Sequence, residues 1–128
     1  ADIRALLDTA RIIDTVRERA TATFERLATA EGRVHGVPAA EVHFHEVGAL
    51  DAIADIVGAA AGFDLLGLHE LDVSPVALGS GTVRTAHGTL PVPPPAVVEL
   101  LRGVPTFGGP ADRELATPTG AAVLRRRS

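Results

Sequence analysis

Between residues 43 and 55 the chain reads His43-Phe44-His45-Glu46-Val47-Gly48-Ala49-Leu50-Asp51-Ala52-Ile53-Ala54-Asp55, which sets five side chains able to ligate a metal in one otherwise apolar stretch. Mixed imidazole and carboxylate donors suit divalent transition metals. If residues 43 to 46 are extended, His43 and His45 point to one face. If the chain is helical from Ala49, Asp51 and Asp55 share a face one turn apart. Gly48 lies between the two halves and permits a sharp reversal. The spacing therefore predicts that His43, His45, Asp51 and Asp55 converge, with Glu46 beside them.

The helix expected from Ala49 to Phe63 carries no charge other than those two aspartates. Helical steps along their face reach Gly58 and Gly62, small residues that predict close packing against another element. A carboxylate pair on a packed face must be ion-paired, protonated or bound to a cation, because an uncompensated buried charge costs several kcal/mol. A divalent cation and a distant arginine are both solutions. Asp51 alone also suits the positive end of a helix, and each histidine alone suits a half-buried strand.

The elements that must position this stretch are legible on both sides. Ile12, Ile13, Val16, Ala20, Thr23, Phe24, Leu27 and Ala28 recur at helical spacing, with Arg17, Arg19, Glu25 and Arg26 on the other face. This predicts an amphipathic helix ending near Gly32. Glu31 and His35 stand four apart at its end, as a helix-terminal ion pair or as further metal donors. Gly36, Pro38 and the following alanines make a loop.

Glu70–Val73 and Gly81–Arg84 read as short strands. Gly79-Ser80-Gly81 reads as a turn, or as a place where a phosphate approaches the backbone. In His87-Gly88-Thr89-Leu90-Pro91-Val92-Pro93-Pro94-Pro95 the prolines fix an extended course into a helix at about Ala96 to Leu101. His87 could complete a metal site from a separate loop. Thr117 and Pro118 have the pattern of a helix start, by capping or as an anion site at exposed backbone N–H groups. Arg125, Arg126 and Arg127 read as a solvated end or as a contact for a nucleotide.

At 128 residues, 46% of them hydrophobic, the chain is one domain's worth with enough apolar material for a core. Aromatic residues are only 3%, so aliphatic and alanine packing must build it. A net charge of -4 gives no general attraction to nucleic acid or to anionic membranes. With no Cys, any metal must be held by nitrogen and oxygen. All basic residues are Arg, which excludes a lysine Schiff base and a P-loop lysine. No signal-peptide pattern and no membrane-spanning apolar run is present, which predicts a cytoplasmic location. The start lacks Met and enters helix-like sequence directly, which predicts a piece of a longer protein.

Three ordered blocks now point further. The run His43 to Gly58, the block from Ser74-Pro75 through Gly79-x-Gly81 to His87-Gly88-x-Leu90-Pro91-Val92-Pro93 with Glu99-Leu100-Leu101, and the run Glu114-Leu115-x-Thr117-Pro118-Thr119-Gly120-Ala121-Ala122 together resemble the LarC family. These are the nickel-insertion proteins of the lactate racemase system, and the resemblance covers about Glu31 to Leu124. It implies nickel insertion into a pyridinium-3,5-bisthiocarboxylic acid mononucleotide, forming the nickel-pincer cofactor with consumption of CTP. That is a chelatase or cyclometallase activity of the lyase class, in which the metal ends bound through two sulfurs and a ring carbon.

Such chemistry needs a site that holds nickel loosely, a base for the ring proton and anion donors for the substrate phosphate. The resemblance therefore implies His43, His45, Asp51 and Asp55 as nickel ligands, Glu46 as ligand or base, and His87 as ligand or proton carrier. Thr119 and Gly120 are implied as the phosphate-binding residues. The chain departs from the family in lacking a glycine-rich opening segment with a Gly-Asp-Met run and the carboxy-terminal domain associated with CTP. The expectation is the amino-terminal core of a nickel-insertion enzyme, inactive or crippled alone, whose partners are the mononucleotide substrate, the missing domain and a possible second copy of itself. A non-catalytic metal-binding or assembly module is the alternative, and a metal-dependent hydrolase ranks last because no second His pair completes a two-metal centre. The expected architecture is α+β, a helix-rich single domain with a small mixed sheet.

Overall fold

Asp2 accepts the Arg4 amide at 3.0 Å and so starts the first helix, α1 (Ile3–Thr9). In the computed structural model, residues 2–43, 46–86 and 88–125 are described, with only the helical backbone given for 46–49. The chain turns from α1 into α2 (Asp14–His35), and the Arg17 guanidinium donates to the carbonyls of Ala10 and Ile12 at 3.1 and 3.0 Å across the turn.

Helix α2 buries Val16, Ala20, Thr23, Phe24 and Leu27 as its periodicity predicts, and Ala30 beside them, whereas Ile13, expected on the same stripe, precedes the helix and is 58% exposed. Thr23 is tolerated there because its hydroxyl donates to the Arg19 carbonyl at 2.8 Å. The helix runs past Gly32, where the sequence placed its end. Gly32 instead admits the returning chain, since a Cβ on it would lie 2.7 Å from the Val37 carbonyl oxygen. The stop is Gly36, in the left-handed conformation at φ 69°, with the Val37 amide bonded to the Gly32 carbonyl at 2.9 Å.

A single 3-10 turn at Ala39–Glu41 leads to α3 (Glu46–Leu65). The helix starts three residues before the expected Ala49, so Gly48 is helical and makes no reversal. Ala52, Ile56 and Ala60, four apart, are buried against α2, and two alanines in three positions let the helices approach closely. Thr15 donates to Asp64 at 2.8 Å and ties the start of α2 to the end of α3.

After α3, residues 70–73 form no strand. Their alternation turns Leu71 partly inward without a ladder partner among the described residues. Strand β1 (Val76–Ala77) pairs in parallel with β4 (Thr106–Phe107), Val76 opposite Thr106. Strands β2 (Thr82–Thr85) and β3 (Gly88–Pro91) form an antiparallel hairpin from Thr82–Pro91 to Thr85–Gly88. The strand read at 81–84 is thus β2, one residue on.

Pro94 and Pro95 lead into α4 (Pro95–Leu100), and Thr117 caps α5 (Pro118–Leu124) with Pro118 in the first turn, both within a residue of expectation. One core joins Leu7, the α2 stripe, Ala52, Ile56 and Ala60 of α3, Val97 and Leu100 of α4, and Ala121 and Ala122 of α5. Helix α2 is its axis, in contact with each of the other four helices. The architecture is α+β and helix-rich, with parallel and antiparallel pairing in two small two-stranded sheets. No helix among the described residues is long and apolar enough to cross a membrane.

Candidate functional site

Asp51 and Asp55 lie one turn apart on the outward face of α3, both exposed, and neither makes an ion pair among the described residues. The face they belong to is open rather than packed. Gly58 is exposed, and a Cβ on Gly58 or Gly62 would meet nothing within 4 Å. The expectation of a packed acidic face is corrected here: burial selects Ala52, Ile56 and Ala60, which leaves both aspartates hydrated. Desolvation therefore does not force a cation onto them. Their exposure leaves them able to take one.

His43 is exposed, three residues before the first turn of α3. His45 and His87 lie outside the described residues, and of Glu46 only the helical backbone is given, at the start of α3. Among the described residues no group of three or more His, Asp or Glu side chains is gathered as a metal site. What the structure brings together is the aspartate pair.

The other sequence candidates among the described residues make structural contacts. His35 Nε2 lies 3.4 Å from Glu31 Oε2, the ion pair at the end of α2. Gly79 (φ 86°) forms a backbone bridge with Glu114, and a Cβ there would collide with the Arg113 carbonyl, so its glycine answers to a close crossing of chains. Ser80 donates to Asp112 at 2.7 Å on the same crossing. The Gly120 amide donates to Thr117 Oγ1 at 3.1 Å, the capping interaction, while Thr119 beside it is half-buried.

Charge is paired elsewhere. Glu99 on α4 receives Arg102 at 2.7 Å and Arg33 of α2 at 3.6 Å. The Arg102 hydrogen bond, with the charges of Arg102 and Arg33, holds the Glu99 carboxyl below its ordinary value against the opposing effect of burial. Glu114 is shifted the other way, upward, because burial disfavours its charged form.

Across its whole length, residues 1–128, the chain matches the model of the nickel insertion protein family. The chain belongs to that family. It is 63% identical over 123 residues to a pyridinium-3,5-bisthiocarboxylic acid mononucleotide nickel insertion protein of Nocardioides sp., covering 96% of this chain and 31% of that protein. A protein of the same name from Desulfitobacterium hafniense is 48% identical over 124 residues, covering 97% of this chain and 31% of its own length. The chain thus spans about a third of the length of these nickel insertion proteins. No solved structure matches it.

One group of residues was not singled out from sequence. The periodicity places Arg19 and Arg26 on the face of α2 opposite its apolar stripe, yet both are half-buried and line a cleft with Arg125. Their seven-residue spacing, nearly two full helical turns, was the available signal.

Proposed function

We propose that this chain handles nickel for insertion into a pyridinium-3,5-bisthiocarboxylic acid mononucleotide, the reaction named for its relatives, with nickel as the cargo. The observation that supports this most directly is Asp51 and Asp55, exposed one turn apart on α3 with no ion pair among the described residues. Two hydrated carboxylates hold a divalent cation weakly, as delivery requires. His43 and His45 add imidazole donors, which favour nickel over magnesium or calcium.

In this reading Glu46 takes the proton that leaves the pyridinium ring as its carbon becomes bound to the metal. His87 carries that proton away or completes the ligand set. Thr119 and Gly120 remain secondary candidates for the phosphate, since the Gly120 amide already serves the Thr117 cap. CTP consumption and turnover in the cytoplasm are proposed for a protein of the relatives' full length, of which this chain spans about a third. The 128 residues alone are accordingly proposed to bind nickel without completing insertion. The activity proposed, a chelatase of the lyase class, rests on the family resemblance.

The test is calorimetric titration of metal-free protein with nickel, zinc and magnesium, beside a His43→Ala, His45→Ala variant and an Asp51→Asn, Asp55→Asn variant. One-to-one nickel binding that both variants weaken is the expected result. Nickel binding unchanged in both would remove these residues from the site.

A further inference from the structure

Beyond α3 the chain runs from Leu68 to Pro75 without a turn or a bend and passes directly into β1. Residues 69–74 alternate in polarity as a half-covered strand does, with Glu70, Asp72 and Ser74 set between Leu71 and Val73. Glu70 and Asp72 are exposed, and Leu71 is half-buried. Such a stretch has the ordinary length of a strand, about 20 Å. Yet among the described residues no backbone amide or carbonyl from His69 to Pro75 makes a hydrogen bond. The stretch is tied at its head, where the Leu68 carbonyl accepts from Arg19 Nη2 at 3.0 Å.

Large apolar side chains stand uncovered along this backbone and just before it. Leu65 and Leu66 are 85% and 74% exposed, and Leu68 and Val73 are 41% and 38% exposed. A strand-like edge among exposed apolar residues is a template for another strand, and folded proteins cover such edges. The described strands do not supply the cover, since β1 pairs with β4 and β2 with β3. A second copy fits poorly. Antiparallel pairing about a two-fold axis at Leu71 sets Glu70 against Asp72, and an axis at either acid sets that acid against itself. Like charges directly opposite are destabilising. Neither acid makes an ion pair among the described residues, so a strand with basic residues at those crossings is the one that fits. The relatives that this chain matches have about two thirds of their length outside the matched region, ample to provide it.

We infer that residues 69–74 are a docking edge, which in a protein of the relatives' length pairs with a strand from outside these 128 residues. The docked strand crosses Glu70 and Asp72 with arginine or lysine and covers Leu71 and Val73 with apolar side chains. Main-chain hydrogen bonds supply the affinity, and the two acids set the register. The added strand extends the sheet of β1 and β4 backward from the two residues of β1. Pro75, which has no N–H, leaves one gap in the ladder at the junction. This pairing needs no metal, so it stands or falls apart from the nickel reading.

The test is hydrogen exchange at the amides of residues 69–74. It is read in this chain alone at two protein concentrations, and at the matching positions of the whole Nocardioides nickel insertion protein. Exchange near the free-peptide rate is expected in this chain at both concentrations, and exchange about a hundredfold slower in the whole protein. Fast exchange in the whole protein overturns the inference. Slow exchange in this chain at the higher concentration alone gives the edge to a second copy, and slow exchange at both gives it to a partner within the chain; either result overturns it. The charge pairing is read in the whole Nocardioides protein with this chain in place of its matching third. There Glu70→Arg with Asp72→Arg should speed exchange at 69–74 about tenfold or more, and Glu70→Gln with Asp72→Gln by less. Exchange unchanged by the charge reversal overturns the basic strand.

Discussion

Thr117 Oγ1 accepts the Gly120 amide at 3.1 Å, closing the first turn of α5 and using a donor that an anion at that helix start would need. One residue thus fixes how α5 begins and engages one of the amides of its first turn. Thr117→Ala is expected to lower unfolding stability by about 1 kcal/mol, and Thr117→Ser to restore most of it, because the cap depends on the side-chain oxygen. Denaturant unfolding of the three proteins checks this. Equal stability of parent and Thr117→Ala would mean that burial of Ala121 and Ala122, rather than the cap, sets the helix start.

The aspartate pair on α3 makes a prediction in which stability and binding part company. Both side chains are exposed and without an ion pair among the described residues, so Asp51→Asn with Asp55→Asn should leave stability within about 0.5 kcal/mol. Nickel affinity should fall by about a hundredfold, since even partners one step removed from a metal are worth roughly 10–100-fold. Thermal unfolding and nickel titration of the same preparations read the two quantities. A large loss of stability without nickel would reveal a structural role that the exposed positions give no reason to expect.

The sequence was most informative where one physical rule acted alone. The Val16-to-Leu27 part of the α2 stripe, the Thr117-Pro118 start of α5 and the proline-led entry to α4 each follow from local periodicity or capping, and the structure has all of them. Gly32 misled because a glycine near a helix end has two possible causes. Here Gly32 serves a close approach of Val37, and Gly36, four residues on, serves the cap. The outward direction of Asp51 and Asp55 was hidden because α3 is apolar nearly all round. Leu50 and Leu65 are 68% and 85% exposed, so hydrophobicity did not mark the inner face. The inner face was chosen by the small Ala52 and Ala60 beside Ile56, a packing preference that appears only when α2 lies alongside. The arginine cleft was hidden for a related reason: it joins α2 to Arg125, about a hundred residues away, and nothing local announces such a meeting.

Gly79 allows a sharper test of tertiary constraint. Its φ of 86° alone costs a non-glycine residue about 1–3 kcal/mol, and a Cβ would in addition collide with the Arg113 backbone, which cannot swing aside as a side chain could. Gly79→Ala should therefore destabilise far more than Gly58→Ala, where a Cβ meets nothing within 4 Å and helix propensity favours alanine. Gly58→Ala is expected to gain up to about 1 kcal/mol. Matched thermal melts of the two variants give the comparison. Similar melting temperatures would show that the crossing of residues 79 and 114 opens at little cost.

Glu99 and Glu114 should give opposite pH signatures. Glu99 has its folded value held below the ordinary 4.5 by Arg102 and Arg33, so its contribution is fully present above pH 4.5 and is lost as pH falls through the lowered value. Glu114 has its folded value raised above 4.5 by burial, so its charged form opposes folding at neutral pH, and that opposition fades as pH falls through the raised value toward 4.5. Glu99→Gln should thus lower the melting temperature at about pH 7 and converge on the parent in strong acid, where both carry an uncharged side chain. Glu114→Gln should raise it at about pH 7 and lose that advantage below about pH 4.5. Melting curves of the three proteins across that range decide it. A Glu114→Gln variant less stable than the parent at neutral pH would mean that the carboxylate has a stabilising partner on the Gly79 crossing that outweighs its burial.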